Sequence, residues 1–301
     1  MILFNEAIAR AMRDDPYIPP APVDDINKPL TFQSEQNGST VALEKVGSAV
    51  GDFEISRNGG KWEDYSVGTP ITLNRGHYVS FRAKTTISAP YGSYWHFVMC
   101  GKVNAYHNIN SMASADFLNL SEIATRQFYS LFDGCTALYK APLLPATTLS
   151  TSCYERLFRS TSLVQAPYLP ATTLQITCYN SMFSSCEFLT QAPDLPATTL
   201  AVSCCLSMFS GCKSLTKAPE LPATILQQGC YENIFKDCVA LTEVRIKATT
   251  PAMIALEGWL YGVSASGTVY TDPALAGLPT NSPNGVPVGW VRANIADYPD
   301  D

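Results

Sequence analysis

An α/β repeat solenoid behind a small β-rich domain is the fold class this sequence predicts, and three observations predict it. The first is a run of phenylalanines at 132, 158, 183, 209 and 235, with spacings of 26, 25, 26 and 26 residues. The second is the segment PATTL, which recurs as Pro145–Leu149, Pro170–Leu174 and Pro196–Leu200 and then as PATIL at Pro222–Leu226. The third is a preceding stretch of short alternating segments separated by Asn-Gly turns.

The repeats carry most of the argument. Beside the phenylalanines stand Leu131, Leu157, Met182, Met208 and Ile234, and leucine follows at Leu138, Leu163, Leu189, Leu215 and Leu241. The gap to leucine is six residues in four turns and five in the second, which is one residue short. A fixed period of roughly 20–29 residues with leucine at set offsets is the signature of a leucine-rich repeat. In Cys178–Cys186 the apolar positions i, i+4, i+5 and i+8 make one helical stripe. The LTQAPDL that follows is driven to extended geometry by its proline. Each turn therefore pairs a helical side with an extended side, and neither buries its apolar face without a neighbour. Proline cannot donate to a ladder, so each strand in APxLP must be very short or bulged.

The flanking regions are read in the same way. Met1–Met12 places Leu3, Phe4, Ile8 and Met12 on one face of an amphipathic helix, expected to anchor the chain to a partner. Asn5, Glu6 and Arg10 interrupt its apolar run, so it is not expected to be a secretory signal. Prolines 16, 19, 20, 22 and 29 make Asp14–Pro29 an extended spacer. Thr40–Val46, Phe53–Arg57, Lys61–Tyr65, Ile71–Leu73, Tyr78–Arg82 and Tyr94–Met99 read as strands of a small antiparallel sandwich or barrel. The expected divisions are 1–29 for helix and linker, 30–103 for the β-rich domain, 104–127 for an N-terminal cap, 128–247 for the repeats and 248–301 for a C-terminal cap. In the last, Pro251–Tyr261 reads as a helix and GTVYTDP and PVGWVRANI as strands.

The run M-F-x-x-C-x-x-L-T-x-A-P-x-L-P resembles the BspA-type leucine-rich repeat, whose turns carry a similar F-x-x-C-x-x-L…P core. The likeness covers Phe128 to about Lys247; these turns are longer than the family's usual unit, and the second lacks the cysteine. Three-part chains of this kind, as the resemblance implies, occur in surface proteins of gut anaerobes and in virion proteins of their phages. It implies adhesion or recognition with no shared chemistry. A virion component is the expected role, held to a virion shell or fibre-base protein by the first helix and reaching a host-surface protein or glycan through the solenoid. A bacterial surface or secreted adhesin is the alternative, and a homo-oligomer is compatible with either.

Composition and motifs exclude other classes. A net charge of −6 provides no field for nucleic acid. No stretch approaches the roughly 20 apolar residues of a bilayer span. Eight of the ten cysteines fall at repeat-locked positions and, where two share a turn, lie eight apart, which is not zinc-ligand spacing; they are expected as reduced thiols in the core. His77, His96 and His107 have no metal-ligand spacing, and no nucleophile elbow or phosphate loop is present. Asp194 and Glu220 take the same position in adjacent turns, but an open face offers no enclosing pocket for catalysis. No catalytic residue, cofactor or metal is therefore expected. Positions that vary while the core repeats are where a repeat protein builds a binding face. Lys140, Gln165, Gln191 and Lys217 before Ala-Pro, with Tyr168, Asp194 and Glu220 after Pro, are the candidate binding residues.

Overall fold

The computed structural model describes residues 21–120, 122–250, 253–275, 277–282 and 284–298. The β-rich domain follows the alternation closely. Its strands are β1 (Thr31–Ser34), β2 (Ser39–Val46), β3 (Phe53–Arg57), β4 (Trp62–Tyr65), β5 (Ile71–Leu73), β6 (Tyr78–Ala83), β7 (Tyr94–Cys100) and β8 (Val103–Tyr106). They form two layers, β4-β3-β6-β1-β8-β9 and β5-β2-β7, where β9 is Leu138–Lys140 in the first repeat. Within the domain every pairing is antiparallel. The β3–β4 hairpin turns at Asn58-Gly59, with φ of 49° and 73°, the left-handed pair that Asn-Gly adopts at low cost. Phe32, Phe53, Phe81, Trp95 and Phe97 fill the space between the layers.

The α/β repeat solenoid expected from the periodicity is overturned. Among the described residues there is no α-helix, only short 3-10 turns, and the regular structure is β-strand in three small sheets. The expected helix over Pro251–Tyr261 is reduced to a 3-10 turn at Met253–Ala255, with residues 251 and 252 outside the described set. The anchor helix assigned to Met1–Met12, with Leu3, Phe4, Ile8 and Met12, lies outside the described residues.

The stripe read as helical is a chain of tight turns. Asn180 N–H donates to Thr177, Met182 to Tyr179, Ser184 to Ser181 and Cys186 to Phe183, all three residues back. Every fourth residue is left-handed: Thr177, Ser181 and Ser185 have φ of 52°, 54° and 60°. That conformation breaks a right-handed helix at each recurrence. The intervening N–H groups point to the next repeat instead. Tyr179, Ser181, Phe183 and Ser185 donate to the carbonyls of Cys204, Leu206, Met208 and Ser210 at 2.7–2.9 Å. The apolar pairs therefore still face one core, at a period of four rather than 3.6.

Stacking produces columns of like side chains. Phe132, Phe158, Phe183, Phe209 and Phe235 lie 5.5–5.7 Å apart with rings within 13° of parallel. Tyr154 and Tyr179 extend a second column from Phe128, and Cys205 stands at the tyrosine position one turn on. On the extended side, contact between turns shrinks to isolated parallel bridges such as Gln165 to Gln191 and Lys217 to Glu243, as the prolines require.

The repeats are continuous with what flanks them. β8 pairs in parallel with β9, and Phe97 of β7 stacks on Phe132 at 5.4 Å and 11°. At the other end, β10 (Glu243–Ile246), β11 (Gly267–Thr271) and β12 (Trp290–Asn294) form a parallel sheet. Phe235 N–H donates to the carbonyl of Trp259, whose indole donates to Gly285. The tail thus adds rungs of its own below the fifth turn.

Candidate binding face

The seven candidate residues lie on the extended side of the stack. Gln165, Tyr168, Gln191, Asp194 and Lys217 are exposed, while Lys140 and Glu220 are half-buried. The reason is local. In each turn the leucine of APxLP points inward (Leu144, Leu169, Leu195 and Leu221 are buried), so the residue just before it, after the proline, points outward. Tyr168 is 69% exposed.

The face divides into three parts. At the front, a groove of about 650 Å³ is lined by Tyr139, Lys140, Pro142, Gln165, Pro167 and Tyr168, with Asp24 and Ile26 as its far wall. Four prolines and two tyrosines are among its lining residues. In the middle, Gln191 and Asp194 stand exposed one turn further on. At the rear, Lys217 and Glu220 are held in an ionic cluster. Glu220 is ion-paired with Lys247 at 2.5 Å and with Arg245 at 3.6 Å; Lys217 lies 3.9 Å from Glu243. Tyr298 donates to Glu243 at 2.6 Å and packs under Arg245 at 3.9 Å. The structure therefore brings Lys140, Gln165 and Tyr168 together in one groove and places Lys217 and Glu220 in a separate cluster. The charge of Glu220 is paired with Arg245 and Lys247.

Sequence reasoning missed the groove's far wall. Part of the expected free spacer is docked: Asp24 accepts Lys140 at 2.5 Å and the main-chain N–H of His107 at 3.1 Å. Asp25 N–H donates to His107 Nδ1, and Asn108 Nδ2 donates to the Ile26 carbonyl. His107 is left-handed at φ 67°, and burial lowers its pKa, opposed by the neighbouring Asp24 charge. A neutral imidazole can accept at Nδ1, as this contact needs. Prolines predict extended chain but not whether it docks, and no local pattern ties Asp24 to Lys140, 116 residues further on.

Nine of the ten cysteines are buried and all ten are free thiols; Cys100 is exposed. They do more than fill space. The thiols of Cys135, Cys186, Cys212 and Cys238 donate to the carbonyls of Phe97, Phe158, Phe183 and Phe209 one turn back, at 2.9–3.2 Å. In the second turn Thr161 donates to the Phe158 carbonyl instead. Burial pushes the Cys153 thiol up to about 12 and Cys186 up to about 11.

No protein-family model, curated protein or solved structure matches this chain.

Proposed function

We propose that this chain is a non-enzymatic binding and structural protein whose extended face recognises a host-surface protein or glycan. The observation that supports it is the groove of Tyr139, Lys140, Pro142, Gln165 and Tyr168, continued by exposed Gln191 and Asp194. Tyrosine faces and proline edges stack on sugar rings or peptide backbones, while amide and charged groups at the rim fix orientation. Residues held by prolines lose little freedom on binding, so little affinity is lost to ordering them. This reading assigns no catalysis, cofactor or metal.

The placement we propose is a phage virion, as a fibre, appendage or decoration component; the resemblance of the repeat motif supports it. Two measurements test the two parts separately. Labelled chain incubated with arrays of host-surface glycans and proteins should give a saturable ligand, and Tyr168→Ala should weaken it at least about tenfold, the loss of one buried aromatic contact. Binding that survives Tyr168→Ala together with Gln165→Ala removes the groove from the interface. Cryo-EM of purified particles should show density of this shape. Its presence only on bacterial envelopes replaces the virion with an adhesin.

A further inference from the structure

A second cleft lies away from the extended face, where the β-rich domain meets the first repeat. Its volume is about 290 Å³, and Ser88, Pro90, Trp95, Thr125, Arg126 and Gln127 are among its walls. No carboxylate lines it, in a chain whose net charge is −6. Two of its donors, the indole Nε1 of Trp95 and the Nε of Arg126, are buried and without a hydrogen-bond partner. Buried donors are rarely left so, and two in one cleft call for an acceptor.

Arg126 is also out of character for its position. It is left-handed at φ 58°, where the equivalent places in the following turns carry Ser152, Thr177, Ser203 and Gly229. Its guanidinium lies 3.7 Å from the ring centre of Tyr129 and 5.2 Å from that of Tyr91. Tyr91 is 92% exposed and Tyr94 packs edge-on against Tyr129 at 5.5 Å. The result is a cationic cleft beside an open aromatic face.

We propose that this cleft binds a carboxylate-bearing saccharide, a site distinct from the extended-face groove. The carboxylate meets Arg126 and the indole N–H of Trp95, the charge-assisted pairing for which a guanidinium is suited. The pyranose ring stacks on Tyr91, and its hydroxyls meet Ser88, Thr125 and Gln127. A neutral hexose satisfies the ring face but leaves both donors unpaired. A bare phosphate satisfies the donors and leaves Tyr91 unused. An acidic sugar uses both, and one pyranose fits the volume.

The test uses the full chain with glucuronate, glucose and inorganic phosphate, by saturation-transfer NMR and calorimetry. Glucuronate should bind saturably, roughly tenfold or more tighter than either control, since glucose lacks the charged group and phosphate lacks the ring face. Arg126→Gly should lose that binding while keeping the melting temperature, since glycine adopts the left-handed position freely. Tyr91→Ala, at an exposed residue, should weaken it several-fold and covers the case in which the arginine variant misfolds. Glucuronate binding no tighter than glucose or phosphate overturns the proposal, as does an affinity unchanged in Tyr91→Ala or in folded Arg126→Gly. Tyr168→Ala should leave glucuronate affinity intact; if that variant abolishes it, the sugar sits in the extended-face groove and the assignment fails.

Discussion

At the scale of single residues, the conformation of every fourth residue decides the fold. Ser, Asn, Asp and Gly occupy most of these left-handed places: Ser152, Ser160, Ser203, Asn233, Asp237, Gly211 and Gly229 among them. Short polar side chains and glycine adopt this region at least cost, whereas a β-branched residue there costs roughly 1–2 kcal/mol. Ser181→Val should therefore lower stability by about that amount in chemical denaturation, and Ser181→Gly should be neutral or better. The buried thiols make a second prediction. Their pKa values are raised in the fold, to about 11 for Cys186 and about 12 for Cys153, Cys230 and Cys238. A group raised in the fold contributes stability that is full below its unfolded value, ~8.5 for a thiol, and is lost as pH climbs toward the folded value. The melting temperature should fall progressively from about pH 8.5 upward, and native alkylation at neutral pH should modify Cys100 alone.

At the scale of elements, the reading succeeded where alternation was long enough to count. Six strands of the β-rich domain lie within a residue of their expected bounds because turn residues frame them, as Asn58-Gly59 does between β3 and β4. β1 and β8 escaped notice because Thr31–Ser34 and Val103–Tyr106 are four residues each, too short for an alternation to be counted. The false helices have a different cause. Across Cys178–Cys186 a period of four and a period of 3.6 differ by less than one residue, so apolar spacing alone cannot separate them. The signal that does separate them is the serine, asparagine or glycine between the apolar pairs, which a helix disfavours. The candidate face was legible because the variable positions flank a fixed proline. Its grouping into one groove and one ionic cluster was not, because partners such as Asp24 and Tyr298 lie 116 and 55 residues away from Lys140 and Glu243. Within a turn, Phe183 is flanked above and below by rings at 5.7 Å. Phe183→Ala should cost roughly 3–5 kcal/mol, from lost transfer energy and the cavity left behind. Calorimetry would show it as a lower melting temperature, and an unchanged one would place Phe183 outside the column.

At the scale of the molecule, the column of rings from Phe97 through Phe235 and the continuing bond to Trp259 join three expected domains into one stack. The β-rich domain covers the first rung and the tail extends past the last, so neither end of the repeats is left open to water. Hydrogen bonds across the stack join each copy to the next, residue to residue at intervals of 24 to 26, as Phe158 to Met182 and Phe183 to Met208 do. A copy therefore has the same neighbours wherever it is inserted. Duplicating residues 184–209 should give a cooperatively folding chain with an undiminished melting temperature, longer by about 5 Å, one inter-strand spacing. Cryo-EM or small-angle scattering would register the change, and a collapsed or aggregated product would show that copies are not interchangeable. Reach is thus set by arithmetic in the gene. Unequal recombination between copies lengthens or shortens the ruler by whole divisions, and each added division brings one more row of side chains to the extended face without altering either end.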